Sequence, residues 1–464
     1  MRVLLARPPR RDPSDAGLAV PPLGLAYIAA SLRQAGHAVD LIDAYVLGWS
    51  WQRFHDELAQ RRPDVLGLSA MTPVADVAAR AVKLARPWVG RVVLGGPHPT
   101  AVRESVFDEM PGLDAAVVGE GEEIAPALLA WWAAGSPGAP PPGVMAPGHA
   151  FVDATPPQDL TRLALPARDL LPMGAYRYLF ATRPGFATVI SSRGCPFRCT
   201  FCDKSVGGSR WRARPADDVV DELEVLVRDH GVGFVNFYDD NFTLRRSRVV
   251  EICEALIRRG LDLEWKCEGR VDGVDLELLH LMRRAGCRTI AYGVESGNAE
   301  TLARLRKDVT VEQAAVAFRH TRAAGIRSLA YIILGAPGEG VAEVRRTVAF
   351  CRSLRADYVQ FSTLTAMPGT PLFQEHGAQA GMGEGRNPLD GDVQRAVVTD
   401  LPADQLQALL REAWLGFYLR PRPVARLLGD AVASGSMAEA WRLAGALGRW
   451  VGGPATRSAR AAAP

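Results

Sequence analysis

Three thiols stand within eight residues at Cys195, Cys199 and Cys202, in the run RGCPFRCTFCDKSVGGSRWRARP (193–215). Three residues and then two separate them. A structural zinc site takes four ligands, usually in two pairs. The remaining cysteines, Cys253, Cys267, Cys287 and Cys351, are single, and His149, His230 and His280 show no paired spacing. Zinc would therefore need a ligand that the sequence does not offer. A cubane iron–sulfur cluster normally takes four thiolates, one per iron. Three thiolates on one short loop would hold three irons and leave the fourth open to an exogenous ligand. An open iron is a reactive one, by the logic that separates catalytic from structural metal sites.

Such a loop needs a scaffold, and the flanking sequence provides it. From residue 187 continuous apolar runs alternate with helical stretches. The strand candidates are ATVISS (187–192), GFVNFYDD (233–240), LEWKCEG (263–269), RTIAYGVE (288–295), IRSLAYIILG (326–335) and DYVQFSTLTAM (357–367). Helical segments at 216–229, 246–259, 275–284, 311–324 and 341–354 separate them. Six such units, of which the last shows only its strand, predict a partial (β/α)6 barrel of TIM type. In barrels the working residues sit where strands end and loops begin. The unusual residues fall there: the cysteines after the first strand, Asp239-Asp240-Asn241 after the second, Arg270 after the third and Glu295 at the end of the fourth.

Residues 1–134 alternate in the same way. Their strand candidates are RVLLARP (2–8), AVDLIDA (38–44), VLGLSAM (65–71), RVVLGGP (91–97) and AAVVGEG (115–121), with helices such as 23–34 and 74–85 between them. Runs apolar along their whole length are expected of strands buried on both faces. The fold class is α/β: an N-terminal doubly wound, Rossmann-like parallel sheet followed by the partial barrel. GSPGAPPPGVMAP (135–147) carries too much Gly and Pro for regular structure and reads as a linker. The expected organisation is 1–134, a linker and bridging segment 135–186, a barrel core 187–375 and a helical C-terminal region 376–464. That last region includes the amphipathic ADQLQALLREAWLGFYL and an unstructured RSARAAAP end.

The bulk numbers exclude several classes. The 464 residues suffice for two or three domains, and 48% hydrophobic with 23% charged residues is ordinary globular composition. A net charge of +3 is too small to argue for nucleic acid. No apolar run approaches the ~20 residues that span a bilayer. Met1 leads into a strand pattern, not a secretion signal. Seven cysteines, an odd count with three clustered, argue against a disulfide framework and for a reducing, cytoplasmic setting.

With these residues in view, the segment 187–370 resembles the radical S-adenosylmethionine (SAM) enzymes. Cys195, Cys199 and Cys202 match that family's motif for a 4Fe-4S cluster. The resemblance implies that the open iron binds the amino and carboxylate groups of SAM. Reduction of the cluster, by a partner such as flavodoxin or ferredoxin, then cleaves SAM to methionine and a 5′-deoxyadenosyl radical. FYDDNF (237–242) stands where the family meets the SAM amino group, although glycines are usual there, which makes Asp239 and Asp240 candidate contacts. Arg270 would pair with the SAM carboxylate. Glu295, in YGVESG (292–297), would accept from the ribose hydroxyls, and YIILGAPGE (331–339) would flank the adenine. For each charged residue the other reading is an ion pair closing the barrel end.

The first domain lacks a G-x-G-x-x-G turn after its first strand, which speaks against NAD or FAD. Its Gly-rich signals, LGGPHPT (94–100) and VGEGEE (118–123), and LSAMTP (68–73), all follow strands at their C-terminal ends, where open α/β sheets bind ligands. The pattern, with PPLGLAYIAASLRQAGHAVDLID (21–43), resembles the cobalamin-binding domain joined to radical SAM enzymes. Ser69, Thr72, Gly95, Gly96, His98, Thr100, Gly119, Glu120 and Gly121 are its candidate contacts, with His98 equally readable as a loop-stabilising hydrogen-bond partner. No Asp-x-His occurs, so no His ligand to cobalt is expected from this chain.

The resemblance implies a C-methyltransferase acting on an unactivated carbon of a small molecule. One SAM would methylate cobalamin, and a second would yield the radical that removes a substrate hydrogen. A cyclase or rearrangement enzyme, or a cobalamin or redox sensor without turnover, are the alternatives. A second-cluster methylthiotransferase is disfavoured because no Cys precedes Cys195, and a peptide-maturing enzyme because none follows Cys351. The segment 376–464 is expected to close the barrel mouth. Its apolar stripe, with LRPRPVARLL (419–428), would serve packing or, for a lipid substrate, a membrane surface, and packing is the expectation.

Overall fold

The computed structural model describes residues 1–12, 20–377 and 397–452. The first sheet comprises β1 (Arg2–Arg7), β2 (Ala38–Asp43), β3 (Val65–Ser69), β4 (Arg91–Gly95), β5 (Ala115–Val117) and β6 (Val144–Met145), in the order β2-β1-β3-β4-β5-β6. β1 to β5 are parallel, and β1 pairs with both β2 and β3. The strand order reverses at β1, which creates a crevice beyond the carboxyl ends of β1 and β3. Helices cover both faces. Leu23–Gln34 and Gly121–Ala133 bury Leu25, Ala29, Leu128 and Trp132 on one side. Trp51–Arg61 and Ala75–Ala85 bury Phe54, Leu58, Ala81 and Val82 on the other.

β6 departs from the sequence expectation. It lies within the predicted linker, yet Val144 and Met145 pair antiparallel with β5. The free edge of β5 offers unpaired backbone groups, and two buried apolar residues suffice to use them.

The second sheet comprises β7 (Phe186–Val189), β10 (Phe234–Phe237), β11 (Glu264–Gly269), β12 (Cys287–Glu295), β13 (Arg327–Leu334) and β14 (Tyr358–Thr363). All pair in parallel in the order β14-β13-β12-β11-β10-β7, the progressive winding of a partial barrel. Between β7 and β10 lies a two-stranded antiparallel ribbon, β8 (Ser192–Arg193) with β9 (Arg212–Ala213). Side chains alternate along each strand. Trp265 and Cys267 pack outward among the helices, which leaves Lys266 and Glu268 on the inner face. The register sets Thr188, Asn236, Lys266 and Thr289 side by side across four strands, and all four are fully buried. At the N-terminal ends of the strands, aromatic residues plug the barrel. Tyr178 stacks on Phe186 and Phe234, and Phe180 packs on Tyr358.

The C-terminal helices correct a second expectation. Helix Ala403–Tyr418 packs on β14 and buries Leu406, Leu409, Leu410, Ala413 and Phe417, as its amphipathic pattern requires. Helix Pro421–Ser434, however, docks at the base of the barrel and not at its mouth. Asp430 accepts from Arg327 Nη1 at 2.5 Å and from the Tyr358 hydroxyl, both at strand starts, and Leu427 joins the plug. The half-buried Arg327 and the buried Tyr358 hydroxyl at the base are what hold this helix. The mouth is approached instead by helix Pro371–His376, where the Leu372 N–H donates to Thr200 O beside the cysteines. RSARAAAP lies outside the described residues. Among the described residues no helix is long and apolar enough to cross a membrane.

Candidate functional site

The β8–β9 ribbon forms the neck of a loop, 194–211, that carries all three cysteines. Gly194 has φ +82°, and a Cβ there would collide with the carbonyls of Arg210 and Gly207. Only glycine lets the two sides of the neck cross so closely. Inside the loop the Cys195 N–H donates to Gly208 O at 3.2 Å and the Thr200 N–H to Leu305 O at 3.0 Å. The three thiols are unpaired and half-buried. Burial pushes the Cys199 thiol up, against the pull of Lys307 and Arg270. Burial, then the Cys199 sulfur, push Cys202 up to about 11. Metal binding must therefore displace protons here.

The donor set fits a cluster better than a single ion. Among the described residues no group of His, Cys, Asp or Glu converges to hold one metal ion. A cubane takes one thiolate per iron, so three free thiols on one loop are the donors that three of its irons require. Ser205 Oγ and Trp211 Nε1, in the same loop, are buried without a partner, as polar atoms facing a bound group would be.

The strand ends bring the expected residues together around this loop, with their atoms already assigned. Asp239 is buried and accepts from Ser191 N (2.7 Å), Ser191 Oγ (2.6 Å) and Ser192 Oγ (2.5 Å). Three donors of its own chain thus occupy it. Among the described residues Asp240 accepts only the Gly194 N–H, at 2.9 Å. It is exposed yet crowded enough that burial raises its carboxyl above the usual range, the combination that marks a cavity wall. Tyr238 shares that character, with burial pushing its hydroxyl up to about 12.

Arg270 is buried with its guanidinium in use. It forms a fork to Asp272 (2.9 and 3.0 Å), donates to Lys307 O and Asp308 O (2.9 Å each), and lies 3.6 Å over the ring of Phe197. Phe197 stands between the first two cysteines, so Arg270 grips the cluster loop. Glu295, in contrast, keeps one oxygen available. Its Oε1 accepts from Lys307 Nζ at 2.7 Å, and Oε2 has no partner among the described residues. Glu295 also sits at φ +64°, a strained setting for a residue with a side chain.

Two residues were not singled out in the sequence. Lys307 lies twelve residues past Glu295, at no readable spacing. Glu339, the last residue of YIILGAPGE, accepts from Ser296, Asn298, Thr301 and the N–H groups of Gly335 and Ala336. It binds the ends of β12 and β13 into one rigid corner. Deeper in the barrel, Lys266 Nζ donates to Asn236 Oδ1 (3.4 Å) and to Glu268, which also accepts from the Tyr331 hydroxyl at 3.2 Å.

In the first domain the expected residues sit on three adjacent strand ends. Ser69 is exposed at the end of β3. Gly96 (φ +95°) runs so close that a Cβ would stand 2.7 Å from Ser69 Oγ and 2.9 Å from Ala70 O. Gly119 (φ +84°) has no other group within 4 Å of a Cβ position, so it fronts open space, as a backbone meant for a bulky ligand would. Gly95 and Gly121 flank these turns. Met71, exposed at the β3 end, adds apolar surface to the same face. These features fit a large, partly apolar cofactor. His98 is buried and engaged at both ring nitrogens, by Thr72 Oγ1 (3.2 Å) and Glu109 (2.8 Å), so it steadies the loop. Thr100 Oγ1 donates to Gly96 O at 2.8 Å and accepts the Gly119 N–H at 3.0 Å, stapling two of the turns. Glu120 turns away from the crevice and accepts from Arg193 and Arg212, at the neck of the cysteine loop.

Residues 189–351 match the radical SAM superfamily and residues 14–129 the B12 binding domain. The uncharacterized methyltransferase PH0819 of Pyrococcus horikoshii is 32% identical over 91% of this chain and 93% of its own length. The chain belongs to the cobalamin-binding radical SAM enzymes. An anaerobic magnesium-protoporphyrin IX monomethyl ester cyclase of Rubrivivax gelatinosus is 32% identical over 77% of this chain, which spans 66% of that protein. The structure of the radical SAM methyltransferase TsrM of Kitasatospora setae, with cobalamin and a 4Fe-4S cluster bound, shares the fold (TM-score 0.70, 21% identity, 93% of this chain and 89% of that one). This cobalamin-binding radical SAM enzyme, then, uses a 4Fe-4S cluster, SAM and cobalamin, and its first domain is the B12 binding domain.

Proposed function

We propose that this chain is a C-methyltransferase acting on an unactivated carbon of a small molecule, with a one-electron donor such as flavodoxin or ferredoxin in a reducing, cytoplasmic setting. The observation that carries the reading is the direct, buried contact between the first domain's β5 turn and the neck of the cysteine loop. It joins the loop that would hold the cluster to the turn beside which cobalamin would lie. Bound there, the cluster and SAM supply a 5′-deoxyadenosyl radical, and cobalamin carries the methyl group.

The chain's own residues bind, orient and exclude water. Cys195, Cys199 and Cys202 hold the cluster. Glu295 Oε2 would accept from the SAM ribose, and Asp240 would meet the amino group. Arg270 and Asp239 act as anchors of the cluster loop. Ser69, Gly95, Gly96, Gly119 and Gly121 line the cobalamin side, with Thr72, His98 and Thr100 behind them. Tyr238, Glu268 and Tyr331 present polar groups on the barrel wall, which suits a substrate with polar substituents.

The test is an anaerobic incubation of reconstituted protein with cobalamin, reductant and methyl-labelled SAM in an extract of the host cell. S-adenosylhomocysteine and 5′-deoxyadenosine formed together with a labelled product support methyl transfer. Deoxyadenosine without S-adenosylhomocysteine, in the presence of a consumed substrate, favours the cyclase reading that the Rubrivivax relative suggests.

A further inference from the structure

Four buried charges join the two domains at one point. Arg193 and Arg212 are direct cross-strand partners in the β8–β9 ribbon. Like charges in that arrangement repel. Two carboxylates from the first domain neutralise them. Glu120 accepts from Arg193 Nη1 at 2.7 Å and from both Nη atoms of Arg212, and Glu122 accepts from Arg193 Nη2 at 2.6 Å. The Glu120 side chain is 1% exposed, and the other three at most 12%. Arg212 also donates to Pro157 O (2.5 Å) and Gly207 O (3.1 Å), and Arg193 lies over the Tyr27 ring.

What the four charges connect matters more than their number. Glu120 directly follows Gly119, whose N–H is stapled through Thr100 to the Gly96 turn. Arg193 and Arg212 are the two sides of the neck that closes the cysteine loop, and Cys195 is two residues beyond Arg193. A displacement of the β5 turn cannot leave Glu120 paired unless the neck follows, since an unpaired buried charge is costly.

We propose that Glu120 is a positioning residue that couples the two cofactor sites: it fixes the cysteine loop against the β4 and β5 turns, so filling either site stiffens the other. The inference rests on the reading that those turns hold cobalamin. Coupling of binding free energies is reciprocal, so it can be read from one side.

The experiment is an anaerobic absorbance titration of the full chain with hydroxocobalamin, with the cluster reconstituted and with it stripped by chelator. The wild-type chain should bind cobalamin about five-fold or more tightly when the cluster is present. In Glu120→Gln, with iron content matched, that ratio should fall to near one. A ratio unchanged by the substitution, or a wild-type ratio of one, overturns the coupling. A wild-type chain that takes up no cobalamin overturns the reading of the turns, and the inference with it. If Glu120→Gln fails to fold, as judged by circular dichroism, hydrogen exchange on the wild-type chain decides. Cobalamin added to cluster-free protein should slow exchange across 194–211, and unchanged exchange there refutes the proposal.

Discussion

Replacing Arg270 separates two roles that its place in the barrel allows. If it gripped the SAM carboxylate, its loss would weaken SAM and leave the cluster intact. Its contacts point elsewhere: a fork to Asp272, two backbone carbonyls at 307 and 308, and the ring of Phe197 between Cys195 and Cys199. Arg270→Ala strands two carbonyls, leaves the solvent-exposed Asp272 unpaired and unpins the loop, which should cost about 3–5 kcal/mol, since each carbonyl loses a charged donor worth about 1.5–3 kcal/mol. At 1.4 kcal/mol per decade, a loss of 4 kcal/mol shifts the docked-to-undocked ratio of the loop by about 700-fold. Arg270→Lys keeps the charge but not the planar fork, and should lose about 2 kcal/mol, or about 30-fold. The assay is iron and sulfide per chain after anaerobic reconstitution, beside the SAM dissociation constant. The expected outcome is low iron in the alanine variant and intermediate iron in the lysine variant. Full iron with SAM binding weakened ten-fold or more would refute the anchoring argument.

Other outcomes follow from the same geometry. Gly96→Ala places a Cβ against Ser69 and Ala70 in a left-handed backbone, which costs about 1–2 kcal/mol before any clash, so cobalamin affinity should fall at least ten-fold in an absorbance titration. Glu339→Gln cannot accept from all five donors, and each unsatisfied group costs about 1–3 kcal/mol, so calorimetry should show a lower unfolding temperature. Asp430→Asn breaks the dock at the barrel base, which should lower the thermal midpoint by several degrees while deoxyadenosine formation stays at the wild-type rate. Stripping the cluster with chelator and dithionite should abolish deoxyadenosine formation and, through the Glu120 contact, weaken cobalamin binding about five-fold without abolishing it, because the glycine turns themselves lie on the other sheet.

The sequence made visible whatever depends on near neighbours. Helix Leu23–Gln34 begins and ends where its apolar period does, and β11 and β12 match their runs to within a residue. The cysteine trio was legible because its meaning lies in spacing over eight residues. What escaped depends on partners far along the chain. Glu120 read as a contact for a ligand, since nothing local reveals two arginines 73 and 92 residues away. Asp239 and Arg270 stood at the right strand ends, but strand-end position cannot say whether a charge meets a cofactor or a neighbouring loop. β6 escaped because a free strand edge, and not its own composition, orders Val144 and Met145. The base-docking helix was misplaced because its amphipathic stripe fits either end of a barrel, and distant partners at the base, Arg327, Asp357 and Tyr358, choose between them.

The aromatic plug has a consequence for traffic. Among the described residues, Tyr178, Phe180, Phe186, Phe234 and Tyr358 close the end of the barrel at which its strands begin, and the helix Pro421–Ser434 lies across that end, so the approach along the strands is from their carboxyl ends. Whatever reaches Glu268 and Tyr331 must pass the level of Asp240 and Glu295, and must leave the same way. A molecule seated deep is trapped beneath one seated at the rim, so arrival and departure follow a compulsory order: first in, last out.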